Sequence, residues 1–338
     1  MSSTLPALVW NKGIAALCDH RLPDEFPSGD YRHDPKFANA RLRRDRPADF
    51  IDRGDLPLPV AAGDIVWVRL SWLASFIEQA LPHIGADFVL ATGDSDERVP
   101  ASIPSFVPAI LDHPRVIAWF AQNGRASADG RLLPLPIGID FHTVSERPNW
   151  GEEVTSPIDQ ERALLAIAES LRPVEQRAPR LYLDFLSRSS YGGRPGIIAS
   201  LRGNPLAVVQ PGQLPRNAMF RRRGEFAFVV SPHGAGPDCH RTWEALALGH
   251  IVLVPASPFD SLYEGLAVVP VRDWTRIDER ALAEWLDRYA PLTRDNPRLT
   301  SRWWVARMRA ASAATGAESH ETAPESSPAS SPPPSHRC

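Results

Sequence analysis

The chain has 338 residues, 43% hydrophobic and 23% charged, with a formal net charge of -3. That length supplies cores for two domains of ordinary size, and the near-neutral charge excludes bulk attraction to nucleic acid or an anionic membrane. Cys18, Cys239 and Cys338 are odd in number and far apart, which gives neither a disulfide framework nor a paired metal motif and suits a reducing, cytoplasmic setting.

The N-terminal run MSSTLPALVWNKGIAALCDH lacks the basic start and long apolar core of a secretory leader. No apolar run approaches the length of a transmembrane segment, which leaves only peripheral membrane contact open. The lysines are Lys12 and Lys36, so the positive charge is almost wholly arginine. Buried arginines favour forked contacts to phosphate or carboxylate, although a bias toward Arg, Ala and Pro accounts for most of the count.

In chain order, DIVWVRL (64–70) reads as a strand. Ser71 then caps the helix WLASFIEQALPHI, whose Trp72, Leu73, Phe76, Ile77 and Ala80 recur at helical spacing. DFVLATG (87–93) is the next strand, IPSFVPAILD a short helix, VIAWFAQN (116–123) a third strand and LLPLPIGI (132–139) a fourth. Asp94 and Asp96 follow the second strand. Such a pair can hold a divalent cation, deprotonate an acceptor hydroxyl, or simply cap a turn. IGIDFH brings Asp140 and His142 to another strand end, suited to acid–base work near neutrality or to a solvated loop.

The polar stretch at 142–161 reads as a join. Beyond it, RLYLDFL is a strand, RPGIIASLRG a helix, and LAVVQ and EFAFVVSP are strands. HIVLVP and LAVVPV follow as strands and DERALAEWLDRYA as a helix, so strand and helix alternate as in parallel sheets covered on both faces. SRWWVARMRA (301–310) packs back through Trp303, Trp304 and Met308, or else forms a basic aromatic interfacial helix. Residues from about 311 lack large apolar side chains and are expected to be disordered.

The densest chemistry lies in SPHGAGPDCHRTWEALALGHIVLVP, Ser231 to Pro255. Ligands of parallel sheets bind beyond the strands' carboxyl ends, and helix N-termini favour anions. Gly234 and Gly236 let backbone approach a phosphate, and Pro237 with Asp238 marks a helix start. On that helix His240, Arg241 and Glu244 share one arc, opposite Cys239, Trp243 and Leu246. Arg241 suits a diphosphate and Glu244 a ribose diol. The same two residues fit a plain i,i+3 surface pair equally well.

This stretch resembles the donor-site signature of exostosin-like glycosyltransferases. Ser231, Pro232, Gly234, Gly236, Asp238, Arg241, Trp243, Glu244, Leu246 and Gly249 match its pattern at fixed spacing. RVIAWFAQN, LPLPIGID and, more loosely, FVLATGDSD extend the resemblance over about 60–290. The family's strand after Gly249 often carries a proline directly after the isoleucine, where HIVLVP has Val252, and the loop 186–196 is atypical.

The resemblance implies a GT-B fold: two Rossmann-like domains whose parallel sheets face across a cleft, with a disordered C-terminal tail. We expect an N-terminal acceptor-side domain at 1–145, a donor domain at 146–310 whose last helix packs back on the first, and a tail at 311–338. By resemblance Glu244 binds ribose, and Arg241 and the glycine loop bind diphosphate. His233 or His240 takes the sugar-phosphate side, and Arg188 or Arg194 supplies a further basic group. Ser231 and Asp238 complete the donor set. Asp94, Asp96, Asp140 and His142 are the base candidates. The implied activity is inverting, metal-independent transfer of a sugar from a nucleotide diphosphate donor to a carbohydrate acceptor, with no cofactor. A nucleotide-sugar epimerase or hydrolase, or a non-catalytic nucleotide- or glycan-binding protein, is the alternative on the same fold.

Overall fold

The computed structural model describes residues 5–22, 58–185 and 193–321, with side chains as far as 313. Among them ten strands form two five-stranded sheets, and every strand pairing is parallel. The first sheet contains β1 (His20–Leu22), β2 (Ile65–Arg69), β3 (Phe88–Gly93), β4 (Val116–Gln122) and β5 (Leu132–Leu135), in that spatial order. The second contains β6 (Ala178–Leu183), β7 (Ala207–Val209), β8 (Phe226–Val230), β9 (Ile251–Pro255) and β10 (Val268–Val271), in the order β10-β9-β8-β6-β7. This is the twin-sheet α/β arrangement that the GT-B expectation requires. Strands β2, β3 and β8 are buried at every residue, which is why they read as unbroken apolar runs rather than alternating ones.

The helices are α1 (Asn11–Ala16), α2 (Leu73–Ser75), α3 (Phe106–Leu111), α4 (His142–Glu146) and α5 (Pro157–Ser170). They continue with α6 (Arg194–Ser200), α7 (Arg216–Arg223), α8 (His240–Ala247), α9 (Glu279–Tyr289) and α10 (Ser301–Glu321). Helices α1, α4 and α7 answer to no expected helix, and three further segments depart from the expected pattern. The helix expected from Trp72 starts in a 3-10 turn at Leu70, passes through α2, and ends in a π turn and a second 3-10 turn, with no cap from Ser71. Pro82 in that last turn has no N–H to offer Glu78, so a regular ladder cannot continue. Helix α5 begins inside the segment read as a join, where the Ser156 hydroxyl accepts from Asp159 N and Pro157 opens the first turn. Helix α10 runs on to Glu321, past the expected start of the tail, because the Ala-rich continuation favours helix. Residues 322–338 lie outside the described part.

Helix α10 lies on the first sheet. Trp304 and Met308 are fully buried, Arg309 donates to Asp19 at 2.6 Å, and the Arg307 guanidinium sits over Phe120. Residues 8–11 run as a strap between the halves: Val9 N bonds Leu299 O at 2.7 Å, and Asn11 N bonds Ile137 O at 2.9 Å. No helix among the described residues is long and apolar enough to cross a membrane.

The two sheets differ in one respect that matters for ligand binding. In the first, successive described strands are added in one direction. In the second, the chain goes from β6 to β7 on one side and returns to β8 on the other. That reversal is a topological switch point, where adjacent loops diverge and leave a crevice beyond the strand ends. The crevice lies outside β6 and β8, at Asp184–Phe185 and Ser231–Gly236.

Candidate functional site

The crevice is lined by arginine. At its base, guanidinium and carboxylate alternate through the sequence Arg241, Asp184, Arg223, Glu244, Arg216. Arg241 Nε lies 3.2 Å from Asp184 Oδ1, and Arg223 bonds the other Asp184 oxygen. Glu244 accepts from Arg223 at 3.3 Å and from Arg216 at 2.8 Å. Arg216 also donates to the Asp140 carbonyl at 2.6 Å and to Gln160 Oε1 at 2.8 Å. Arg216 and Arg223 reach one face of α7 because seven residues make nearly two turns.

At the mouth, Arg194 opens α6 and donates from Nε to the His233 carbonyl at 3.1 Å. Burial and then the like charge of Arg241 push Arg194 below the usual arginine range. The two cations are close enough to repel, and Arg194 has no carboxylate partner among the described residues. Three arginines share Asp184 and Glu244, and Arg194 adds a fourth cation beside the loop at Gly234. A Cβ on Gly234 would lie 3.1 Å from Cys239 Sγ and 3.7 Å from an Arg194 terminal nitrogen, so glycine keeps this approach open. Burial, then Arg98 reaching from the first sheet's side, hold the His233 ring below the usual histidine range.

Several expected donor residues are engaged elsewhere. Ser231 Oγ pairs with Thr242 Oγ1 at 2.9 Å and ties the β8 end to α8. Asp238 is buried, and its carboxylate accepts from Ile137 N, Cys239 N, Trp243 Nε1 and Tyr263 OH. Burial raises that carboxyl to about 6 despite these bonds. A Cβ on Gly236 would meet Asn123 Nδ2 at 2.6 Å, so this glycine serves close packing against the end of β4. Asn123 Oδ1 accepts from Asp238 N at 3.0 Å. His240 Nδ1 bonds the Gly138 carbonyl at 2.7 Å. The start of α8 is thus stitched to the first half by Asp238 and His240, while Arg241 faces the crevice. Helix α8 begins at His240, two residues later than expected, with extended Cys239 before it. Glu244 lies in the arginine ladder, not at a surface i,i+3 pair with Arg241. Arg188 lies outside the described residues.

The base candidates separate clearly. Asp94 has Arg69 Nε at 2.8 Å and Lys12 Nζ at 3.7 Å. Burial pushes its carboxyl up, but those cations outweigh it and bring it down to about 2. Asp96 is exposed two residues away. Asp94 is thus already held by two cations of its own half. Asp140 is buried, and accepts from Thr143 N at 2.9 Å and Thr143 Oγ1 at 2.8 Å. Burial raises it, yet His142 and then His240 hold it well below the usual carboxylate range. His142 Nδ1 lies 3.0 Å from Asp140 Oδ1, and His240 Nε2 lies 4.0 Å from Asp140 Oδ2. Burial pushes the His142 ring down, but Asp140 overrides this and leaves it raised.

Sequence reasoning passed over Lys12, Arg69, Asn123, Asp184, Arg216 and Arg223. The two arginines of α7 carried a readable signal, their shared helical face. Arg69, Asn123 and Asp184 are single polar residues at or beside strand ends and Lys12 lies in the short α1, and nothing local marks their partners.

The sequence matches no protein-family model and no curated protein. Several solved structures are similar to the chain, three of which follow. One is an α,α-trehalose 6-phosphate synthase from Burkholderia multivorans, at 12% identity and TM-score 0.40, over 79% of this chain and 74% of that one. A UDP-forming α,α-trehalose-phosphate synthase from Burkholderia vietnamiensis gives 12% and 0.40, over 76% and 74%. An α1,3-fucosyltransferase with GDP-fucose gives 11% and 0.36, over 73% and 77%.

Proposed function

We propose that the chain is an exostosin-like GT-B glycosyltransferase, moving a sugar from a nucleotide diphosphate donor to a carbohydrate acceptor. The observation that carries this reading is the positive charge at the β6/β8 switch point, where Arg194 lies against Gly234 and is pressed by the like charge of Arg241. A diphosphate leaving group gains charge as its bond to the sugar breaks, and fixed cations aimed at it stabilise that change. The nucleotide belongs to the second half, 146–310, and the acceptor to the first, 1–145.

The base in this reading is His142. Its Nδ1 faces Asp140, so an Nδ1–H donates to the carboxylate and Nε2 is left to accept a proton. The acceptor hydroxyl gives its proton to that nitrogen as its oxygen attacks the anomeric carbon. The carbon–oxygen bond to the diphosphate breaks on the opposite face, which inverts the centre. The arginines take up the leaving charge without a metal ion. Closure of the two halves excludes water and so suppresses donor hydrolysis. The reducing, cytoplasmic setting belongs to the same proposal.

The test is thermal stabilisation by UDP, GDP, ADP and CDP, each with and without EDTA, for wild type and Arg241→Ala. Ligand binding to the folded state raises its stability by mass action. One nucleotide should give a shift that EDTA leaves intact and Arg241→Ala removes. If no nucleotide shifts the wild type, the donor assignment is wrong. Product analysis with the nucleotide sugar so identified then separates transfer from epimerisation or hydrolysis.

A further inference from the structure

Asp140, His142 and His240 converge from two separate elements. Asp140 and His142 lie at the start of α4, and His240 opens α8. One donor atom from each lies within 4.8 Å of the other two. We propose that these three side chains form a binding site for one divalent transition-metal ion of the zinc or cobalt class.

Geometry, donor type and surroundings support the site. Ligands of a tetrahedral zinc ion at about 2.0–2.1 Å stand roughly 3.3 Å from one another. The separations of 3.0 Å from His142 Nδ1 to Asp140 Oδ1 and 4.0 Å from His240 Nε2 to Asp140 Oδ2 lie either side of that spacing, and with all three donors within 4.8 Å the rings and the carboxylate turn inward to close the set around one ion. Two imidazoles and one carboxylate suit zinc or cobalt better than magnesium or calcium, which prefer oxygen alone. Metal-bound histidines typically donate their second ring N–H to a carbonyl or carboxylate, which fixes the tautomer. His240 already does so, through Nδ1 to the Gly138 carbonyl at 2.7 Å, and this turns Nε2 toward Asp140. Thr143 orients both carboxylate oxygens through its backbone N–H and its hydroxyl. Asp140 is buried while the two rings keep 29% of their side-chain surface, enough for an ion to enter. The nearby cations that oppose binding are Lys12, which shares Asp94 with Arg69, and Arg216, which bonds the Asp140 carbonyl and pairs with Glu244.

An ion here joins α4 to α8 and so clamps the first half to the helix that carries Arg241. It also occupies a nitrogen of His142, so ion and acceptor proton compete for that ring; this consequence rests on the base assignment above. Loss of transfer activity on adding zinc is the readout of that consequence alone, and the site itself is tested by binding.

The experiment is competition for Zn2+ against a chromophoric chelator, with Co2+ absorption as a second probe. It uses the full chain in a Cys338→Ser background, so that the C-terminal thiol does not contribute. Wild type should take one ion per chain and melt higher as the ion is added. His240→Asn keeps a donor for the Gly138 carbonyl, and His142→Gln keeps one for Asp140. Each should weaken Zn2+ binding by more than about tenfold, with ion-free melting close to wild type. Should either variant melt much lower, Asp140→Asn, which leaves both rings in place, is measured instead and should weaken binding likewise. The proposal is overturned if wild type fails to displace the chelator, if either histidine variant that melts normally binds as wild type does, or if Mg2+ competes at equal concentration. None of these results bears on nucleotide binding at Arg194 and Arg241, which is measured with EDTA present.

Discussion

Glu244 separates two roles that its position in the signature leaves open, a contact to ribose and a buried counter-ion for the ladder. In the structure it is buried, with its oxygens 2.8 Å from Arg216 and 3.3 Å from Arg223. Replacing it by alanine leaves Arg216 without its carboxylate and Arg223 with Asp184 alone. Breaking a buried pair from one side costs about 3–5 kcal/mol, because the stranded charge has lost its water and its partner. Arg216 retains the Asp140 carbonyl and Gln160, and Arg223 retains Asp184, so the lower half of that range applies. Glutamine keeps one acceptor for Arg216 but turns a donor toward Arg223 or the reverse, and should cost about half as much. At about 2–4 °C per kcal/mol for chains of this order of size, Glu244→Ala should lower the melting temperature by about 6–16 °C. Unfolding followed by tryptophan fluorescence reads this directly. Binding of pyrophosphate and of nucleoside diphosphate is measured beside it. A pure ribose contact would instead leave the melting temperature unchanged and weaken the nucleotide but not pyrophosphate. That pair of results would falsify the ladder assignment.

Two further predictions follow from the charges. Arg194→Ala and Arg241→Ala should each weaken nucleoside diphosphate and pyrophosphate to a similar degree, by about 1.5–3 kcal/mol as expected for a charged hydrogen bond, measured by calorimetry. Arg194→Ala should not lower the stability of the ligand-free chain, since it removes a cation pressed by burial and by Arg241; a large drop would show a structural role instead. Asp94 is held at about 2 against an ordinary 3.8, so its ion pairs add stability above about pH 4 and lose it as pH falls through about 2. That difference is worth about 2 kcal/mol, and Asp94→Asn should flatten urea-unfolding stability across the window while lowering it at neutral pH. If the variant keeps the wild-type slope from pH 4 to 2, another carboxylate is responsible.

Much of the sheet core was legible in the sequence. Runs such as IVWVR and FAFVV are buried on both faces, so composition alone marks them as strands of a covered parallel sheet. The crevice was legible in part, because a glycine loop between a strand and a helix with Arg241 in its first turn carries its own local logic. Which glycine or acid faces the ligand was not. Asp238 takes Ile137 and Asn123 as partners across more than a hundred residues, and no local pattern encodes such a pairing. Short β1 and the α5 start were hidden for a different reason: HRL is too brief for an alternation, and the cap of α5 sits in a polar run that resembles a linker.

The loop's two glycines now make a controlled comparison. Gly236 stands against Asn123, whose amide is pinned at both ends by Asp238 N and the Ser95 carbonyl. A methyl there, 2.6 Å from Asn123 Nδ2, must move that amide or the backbone on either side. Overpacking of this kind costs about 1–3 kcal/mol, and two hydrogen bonds are strained with it, one of them between the halves. Gly234 faces Cys239 Sγ at 3.1 Å and Arg194 at 3.7 Å, so its methyl needs a shift of only a few tenths of an ångström in a thiol held by one long bond to the Pro232 carbonyl. That methyl enters the space between loop and arginine where a phosphate oxygen is to sit. Neither glycine has a positive φ, so backbone strain does not blur the contrast. Gly236→Ala should therefore lower the melting temperature and largely spare the affinity of the folded chain for pyrophosphate, whereas Gly234→Ala should do the reverse. If both variants lose affinity with unchanged melting, Gly236 also touches the ligand and the stitching of α8 to the first half has been overvalued. If both melt low and bind normally, the loop serves packing alone, and the diphosphate must be sought elsewhere than between Gly234 and Arg194.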